Sequence, residues 1–268
     1  MNSWQAITDM EPKSSVSTLP QSVIIYQDED ILVVNKPCDW LVHRSAIDRH
    51  ETRFLIQALK HLTDLTVFPV HRLDKPTSGV MVFALNKPAL INLSHQFEEN
   101  QVAKTYHAIV RGHAPNNLHI DYPLKEKAVF KSQNTDKLKT QSAITDLIRL
   151  KSYEIPVAVD RYPQSRYSLV ELKPSTGRRH QLRRHMKHIA HPIIGDTSYG
   201  KTSHNNYFRN ELACRRLLLH ANQLSFAHPT TAEPLQFSAN YDRSFTEVMN
   251  ELTRLSNTEK HSSDGSTQ

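Results

Sequence analysis

The chain has 268 residues, 38% of them hydrophobic, with 33 Lys and Arg against 27 Asp and Glu, so its net charge is +6. That suits one large folded domain or two small ones, and a pI near 9.2 favours an acidic partner. The uncharged stretch around Val80 runs only from Pro76 to Asn86, eleven residues where a membrane span needs about 20, and the polar, acidic first residues do not read as a signal peptide.

Residues 1–22, with Pro12, Ser14, Ser15, Ser17 and Pro20, read as a flexible tail. The body is expected over 23–255, followed by a second tail over 256–268. Val23–Tyr26 and Ile31–Val34 read as strands joined by the polar connection Gln27-Asp28-Glu29-Asp30. Phe54, Leu55, Ala58, Leu59 and Leu62 form one apolar face of a helix. Val80–Leu85 reads as a buried strand, and Pro88–Glu99 as a helix with Asn86 as N-cap and Pro88 in its first turn. Tyr106–Val110 and Tyr167–Leu172 are further strands. A helix is expected from about Arg178 to Ile189, with Leu182, Met186 and Ile189 on one face and Ser175 or Thr176 as its cap. Arg216–His220, Gln223–Phe226 and Leu235–Ser238 complete the strands. The last helix is expected to start at the capping box Ser244-x-x-Glu247 and to run to about Leu255. Strands with interspersed helices predict an α+β domain on a mostly antiparallel sheet.

The six glycines show no spacing for a dinucleotide fingerprint or a triphosphate-binding loop, so no nucleotide cofactor is expected. Cys38 and Cys214 supply neither a disulfide framework nor a zinc spacing, which places the chain in a reducing cytoplasm.

Two polar clusters interrupt the apolar pattern. The first, Phe68-Pro-Val-His-Arg-Leu-Asp-Lys-Pro-Thr-Ser-Gly79, puts His71, Arg72 and Asp74 in a loop before a buried strand. Turn chemistry alone explains Asp74 to Gly79; a loop set on a rigid sheet is also where catalytic groups sit. The second, Lys173 to His191, holds six Lys or Arg and four His with no acid. It reads as a solvated basic face or as an anion site at a helix start. On that helix Arg183 falls at the edge of the buried face, with Arg179, Arg184 and His188 toward solvent. His180, His185, His188 and His191 lack a nearby carboxylate or thiolate, so no metal is expected. A Ser-His-Asp hydrolase lacks its nucleophile elbow. A paired-carboxylate glycosidase stays open, with Glu171 or Asp196 as partner of Asp74, although both clusters are cationic. Basic residues interleave with aromatics at Arg161-Tyr162-Pro163, Arg166-Tyr167, Tyr199-Gly200-Lys201 and Tyr207-Phe208-Arg209, a pairing suited to RNA.

His71-Arg72-Leu73-Asp74-Lys75-Pro76-Thr77-Ser78-Gly79 resembles the H-R-L-D-x-x-T-S-G motif of the RluA-type pseudouridine synthases. Asn35-Lys36-Pro37 with Val42-His43, Lys104-Thr105-Tyr106 with Arg111-Gly112, and Thr176-Gly177-Arg178-Arg179-His180-Gln181-Leu182-Arg183 resemble further motifs of that family. His191-Pro-Ile-Ile-Gly-Asp196 and Leu219-His220-Ala221 follow in the family's order, so the resemblance covers roughly residues 23–240. It departs at Cys38-Asp39, where the family carries a small residue and glycine; aspartate is tolerable there if φ is positive.

The resemblance implies a single catalytic domain with a central, mostly antiparallel sheet, flanking helices and a cleft where both clusters meet. It implies isomerisation of uridine to pseudouridine without a cofactor; a monomer is expected, in the cytoplasm that the cysteine usage suggests. Asp74 matches the essential aspartate, without choosing among attack on the base, attack on C1′ and removal of the C2′ proton. Arg183 matches the arginine that pairs with that aspartate, expected as a two-pronged contact. Tyr106 matches the tyrosine that stacks on the target base and helps remove the C5 proton. Arg72 resembles the residue that fills the gap left by the flipped base. Further RNA contacts are expected from His71, Arg178, Arg179, His180, Gln181, Arg184, Lys104 and Arg44. Trp40-Leu-Val-His-Arg-Ser45, Arg161-Tyr162-Pro163 and Arg183-Arg184-His185 are subgroup features that imply tRNA, at uridine 65, over ribosomal RNA. A non-catalytic RNA binder on the same scaffold is the rival reading.

Overall fold

The computed structural model of the chain describes residues 18–43, 51–126 and 138–263. The expected N-terminal tail therefore lies almost wholly outside the described residues, as does Arg44. At the first hairpin, Asp28 Oδ1 accepts the backbone N–H groups of Asp30 and Ile31, both at 2.8 Å, and this turns β1 (Ile24–Gln27) into β2 (Ile31–Lys36). All seven residues of β4 (Ser78–Ala84) are buried, because helices and loops cover this strand on both faces. One edge of β4 pairs with β2; the other is shared by β3 (Phe68–Pro69) at its end and β11 (Leu219–Ala227) at its start.

The remaining strands are β5 (Ala103–Arg111), β6 (Asn117–Asp121), β9 (Ile144–Ile155), β10 (Ser165–Pro174) and β12 (Pro234–Ser238), with β7 (Leu124–Lys125) and β8 (Thr140–Gln141) as a separate pair. The main sheet runs β1-β2-β4-β11-β5-β10-β9-β6, with β12 beside β11 and β3 beside β4. Every pairing is antiparallel except β4 with β11. The α+β expectation therefore holds.

Side chains alternate across β5, as a pleated strand requires. Ala108 and Val110 meet α3 (Gln181–His188) through Leu182 and Met186 on the front face. Ile109 meets α4 (Thr202–Asn210) and α5 (Arg243–Ser263) through Phe208, Phe245, Val248 and Leu252 on the back. Helices α1 (Leu55–Thr63) and α2 (Lys87–Glu98) close the other half of the sheet through Leu55, Ala58, Leu59, Ala89 and Leu93. Asn86 caps α2 as expected, accepting from Ala89 N at 2.9 Å.

Several elements differ from the sequence reading. The longest strand, β9, was not expected: its outward positions carry Asp146, Lys151 and Ser152, which dilute the apolar signal. Helix α4 was missed because only His204 and Phe208, four residues apart, are buried. Helix α3 starts at Gln181, not Arg178, since His180 adopts a left-handed conformation at φ 55°. The expected cap Thr176 instead bonds the Gln181 side chain at 2.8 Å. Helix α5 is capped by Asp242, whose Oδ1 accepts from Phe245 N at 2.9 Å; Glu247 pairs with Arg243 and no box forms at Ser244. That helix runs to Ser263, past the expected end at Leu255, because no glycine or proline interrupts it. Arg216 to Leu218 precede β11 rather than join it, and Leu218 instead bridges Ile194 and Ile109 through its backbone.

Gly79 sits where β4 meets β11, at φ 115°. A Cβ there would lie 2.5 Å from the Ala221 nitrogen and closer still to its carbonyl oxygen. Gly79→Ala combines strain with a backbone clash and is expected to lower stability by about 3 kcal/mol or more, read from the urea midpoint; an unshifted midpoint would refute the close approach.

Candidate active site

The loop between β3 and β4 is held by its own sequence. Lys36, fully buried at the end of β2, donates to the carbonyls of Thr77 at 2.7 Å, Pro37 at 2.9 Å and Lys75 at 3.1 Å. Three acceptors match the three N–H groups of an ammonium, although burial pulls its pKa down to about 7. Asp39 adopts φ 62°, so the aspartate that replaces glycine occupies the conformation it tolerates. Cys38 Sγ donates to Pro76 O. Thr77 N closes the turn on Asp74 O at 3.0 Å.

Behind the loop, His220 Nε2 faces the Ala239 carbonyl at 3.0 Å. A carbonyl only accepts, so Nε2 carries the proton and Nδ1 accepts from Ser78 Oγ at 2.8 Å. Arg216 Nη2 donates to the same hydroxyl at 2.7 Å. This Ser-His contact is a buried brace and not a nucleophile.

Asp74 is thereby presented at the rim of a cavity of about 120 Å³ that spans the two motif clusters. Arg72, Lys104, Tyr106, Arg178, His180 and Arg183 share its lining, and Leu219 and Pro174 supply apolar wall. Tyr106 projects from β5 in register with Leu172 of β10. Burial first, and the Asp74 carboxylate second, push its pKa up, so the phenol stays protonated at neutral pH. Burial pulls the Lys104 pKa down. His180 Nε2 lies 3.8 Å from Asp74 Oδ2, while its Nδ1 contacts the Tyr199 hydroxyl at 3.1 Å.

Arg183 departs from the expected two-pronged contact with Asp74. Its fork grips Asp196, with Nε to Oδ2 at 2.7 Å and Nη2 to Oδ1 at 2.9 Å, and only Nη1 reaches Asp74 Oδ2, at 3.2 Å. Asp196, 2% exposed, takes the fork from the turn after α3, while Asp74 reaches the guanidinium from the loop before β4. Burial alone would raise the Asp196 pKa, but Arg183 and the N–H groups of Ser198 and Tyr199 outweigh it and lower it. Tyr199 also lies under the guanidinium, 5.2 Å from ring centroid to Cζ. Asp196 is the residue whose part sequence reasoning missed. The signal was an acid directly after the apolar run Pro192-Ile-Ile, which a buried cation has to balance. It is no second glycosidase carboxylate, and Glu171 pairs with His107 and Lys173 on the back of the sheet.

Other expected RNA contacts divide. Arg178 lines the cavity, with Nε on Ser142 O at 2.9 Å; Arg179 is exposed outside it and Arg184 is half-buried on α3. Gln181 reaches the cavity wall, but its amide is occupied by Ile144 O, Thr145 Oγ1, Thr176 Oγ1 and Arg178 N. His71 is turned away from the cavity: its ring stacks on Phe97 at 4.4 Å and Nε2 accepts from Val82 N at 3.2 Å. It fills the gap in the β4 edge between the β3 and β11 pairings.

The family model described as RNA pseudouridylate synthase matches residues 30–188, the stretch that carries Asp74, Tyr106 and Arg183. The chain belongs to the RNA pseudouridylate synthase family, a family of isomerases. It is 47% identical over 228 residues to a "tRNA pseudouridine synthase C" of Vibrio parahaemolyticus, covering 84% of this chain and 92% of that one. A protein of the same name from Haemophilus influenzae is 47% identical over 232 residues, covering 85% and 97%. The one from Pectobacterium carotovorum is 48% identical over 85% of this chain, which spans 61% of that longer relative. Among solved structures, Human RNA Pseudouridylate Synthase Domain Containing 1 superposes with a TM-score of 0.64 at 27% identity, over 91% of this chain and 98% of that one.

Two predictions follow from the buried charges. Asp196→Asn leaves the Arg183 guanidinium short of a buried counter-charge and is expected to cost about 3 kcal/mol in urea unfolding. Arg183→Lys, which cannot form the fork, should show a comparable loss, and wild-type stability in both would refute the pairing. Burial, with Lys104 adding, pulls the His71 pKa down to about 3, and burial likewise holds His204 and His220 near 4. Unfolded histidines take up a proton below about pH 6.5, so stability is full above that pH and declines as pH falls toward 4. His71→Gln, whose amide oxygen can still accept from Val82 N, should shrink the difference in urea midpoint between pH 7 and pH 5. An undiminished difference would show that the His71 ring is not held neutral.

Proposed function

We propose that this protein isomerises uridine to pseudouridine in tRNA, at position 65, as a cytoplasmic monomer that needs no nucleotide cofactor. The observation that carries the reading is the Asp74 carboxylate beside Tyr106 in a cationic cavity, oriented by an arginine that is itself anchored. The names of the relatives support tRNA as the substrate class.

In the reaction the N1–C1′ bond breaks and a C5–C1′ bond forms; one proton leaves C5 and one arrives at N1. Asp74 is the group that acts on the sugar or base, in its ionised form. Tyr106 stacks on the flipped uracil, and as a neutral phenol it takes a proton only by passing its own onward. The exposed Arg72 at the rim fills the space the base vacates. Arg178 and Lys104 face the backbone phosphates, so affinity falls steeply with salt.

Tritium release from tRNA carrying [5-³H]uridine tests the reading. Asp74→Asn should abolish release while tRNA affinity stays within about twofold, and Tyr106→Phe should keep affinity and lower kcat by about 100-fold. Release by Asp74→Asn at the wild-type rate would sink the assignment. Mapping the product separates uridine 65 from other positions and from ribosomal RNA.

A further inference from the structure

A second cavity, of about 410 Å³, lies at the other end of β5 and β10. Arg111, the last residue of β5, lines it together with Asp160, Tyr162, Arg166 and His204. Arg111 lies five positions beyond Tyr106 on β5, roughly 17 Å at about 3.4 Å per residue. Helix α4, which carries His204, is tied to the turn that holds Asp196: Asn205 donates to Asp196 O at 2.9 Å and accepts from Gly195 N at 2.8 Å.

The lining has three kinds of group. Its one carboxylate, Asp160, pairs with Lys201, and its Arg166 is matched by Glu154 outside the lining, Nε to Oε2 at 2.8 Å. Arg111 and the adjacent Arg161 have no carboxylate within 4.0 Å among the described residues, so the net field is positive. Tyr162 is 57% exposed, although Arg161 lies against its ring at 4.6 Å. A large aromatic left this exposed beside guanidiniums forms a platform for a planar group. His204 is only 4% exposed, and its Nδ1 is engaged by the Tyr167 hydroxyl at 3.0 Å. Its Nε2 has no hydrogen-bond partner among the described residues and is the ring nitrogen left to meet a ligand. Burial, with Arg111 and Lys201 adding, keeps this imidazole neutral at physiological pH, so it meets a ligand as a hydrogen-bonding group and not as a charge.

We propose that this cavity binds one nucleotide, its phosphate on Arg111, its base against Tyr162, and its ribose hydroxyls on Asp160. A cation, an aromatic platform and a carboxylate acceptor together fit a nucleotide better than a bare anion, since phosphate alone has no use for the last two. The nucleotide comes from a segment of bound RNA that passes round the end of the sheet, or it is a free mononucleotide. The proposal rests on the reading that this protein handles RNA.

The test uses the full chain with Tyr162→Ala and Arg111→Gln, at the exposed platform and the free cation. Filter binding of unmodified tRNA over a salt series and calorimetric titration of uridine and adenosine monophosphates are measured for each. If RNA supplies the nucleotide, each variant weakens tRNA binding by about tenfold, and Arg111→Gln reduces the slope of log affinity against log salt by about 0.9. If a mononucleotide is the ligand, wild type binds it, both variants lose it, and tRNA affinity is unaffected. Wild-type tRNA affinity and slope in both variants, with no mononucleotide binding, overturn the site. Melting temperatures confirm that both variants are folded. Because binding is read without catalysis, a wild type that binds tRNA through this cavity but releases no tritium would sink the isomerase reading and leave the site standing.

Discussion

A single guanidinium organises the active site. Arg183 is 5% exposed, and a charge taken that far from water has to be matched in full by its surroundings. Two carboxylates do so from two segments: Asp196 from the turn after α3, and Asp74 from the loop before β4. The pair with Asp196 is closed on every side, by the fork, by two backbone N–H groups and by the Tyr199 ring. Of the three N–H groups outside that fork, one on Nη1 reaches Asp74. The arginine thus directs Asp74 without immobilising both of its oxygens, and Oδ1 is left outside the contact with Arg183.

The loop that carries Asp74 is built on the same economy. From His71 to Gly79 nearly every residue has a structural assignment: a ring that completes the β4 edge, a buried leucine, carbonyls for Lys36, a hydroxyl for His220 and Arg216, and a glycine for Ala221. Arg72 and Asp74 are the charged groups of this loop that line the cavity, and Asp74 is held there by a single contact with Arg183. A loop braced this thoroughly holds its carboxylate in place before any substrate arrives, which is the condition for electrostatic and nucleophilic catalysis.

Much of this was legible in the sequence. The hairpin at Asp28, helices α1 and α2, and the strands around Val80, Tyr106 and Leu169 follow from periodicity and caps, and the two clusters meet where the motifs implied. The failures share a cause. Strand β9 and helix α4 have half of their residues in solvent or against polar neighbours, so their apolar pattern is thin. The start of α3 and the cap of α5 involve Gln181 and Asp242, side chains that the cap pattern in the sequence did not single out. His71 could not be separated from Arg72 by adjacency in a motif; only the partition of the β4 edge between β3 and β11 explains why one faces in and the other out.

The placement of β11 has a consequence for how the protein comes into being. This strand, from the last quarter of the chain, inserts between β4 and β5 and is the parallel neighbour of the segment that follows Asp74. A nascent chain emerging from the ribosome therefore holds β4 and β5 as two open edges until residues 219–227 have been made. Such long-range closure is slow and leaves strand edges unpaired in the meantime. Asp74 and Arg183 come together across a seam that is sealed late in synthesis, so a chain terminated before β11 carries Asp74, Tyr106, Arg183 and Asp196 and still has no assembled active site.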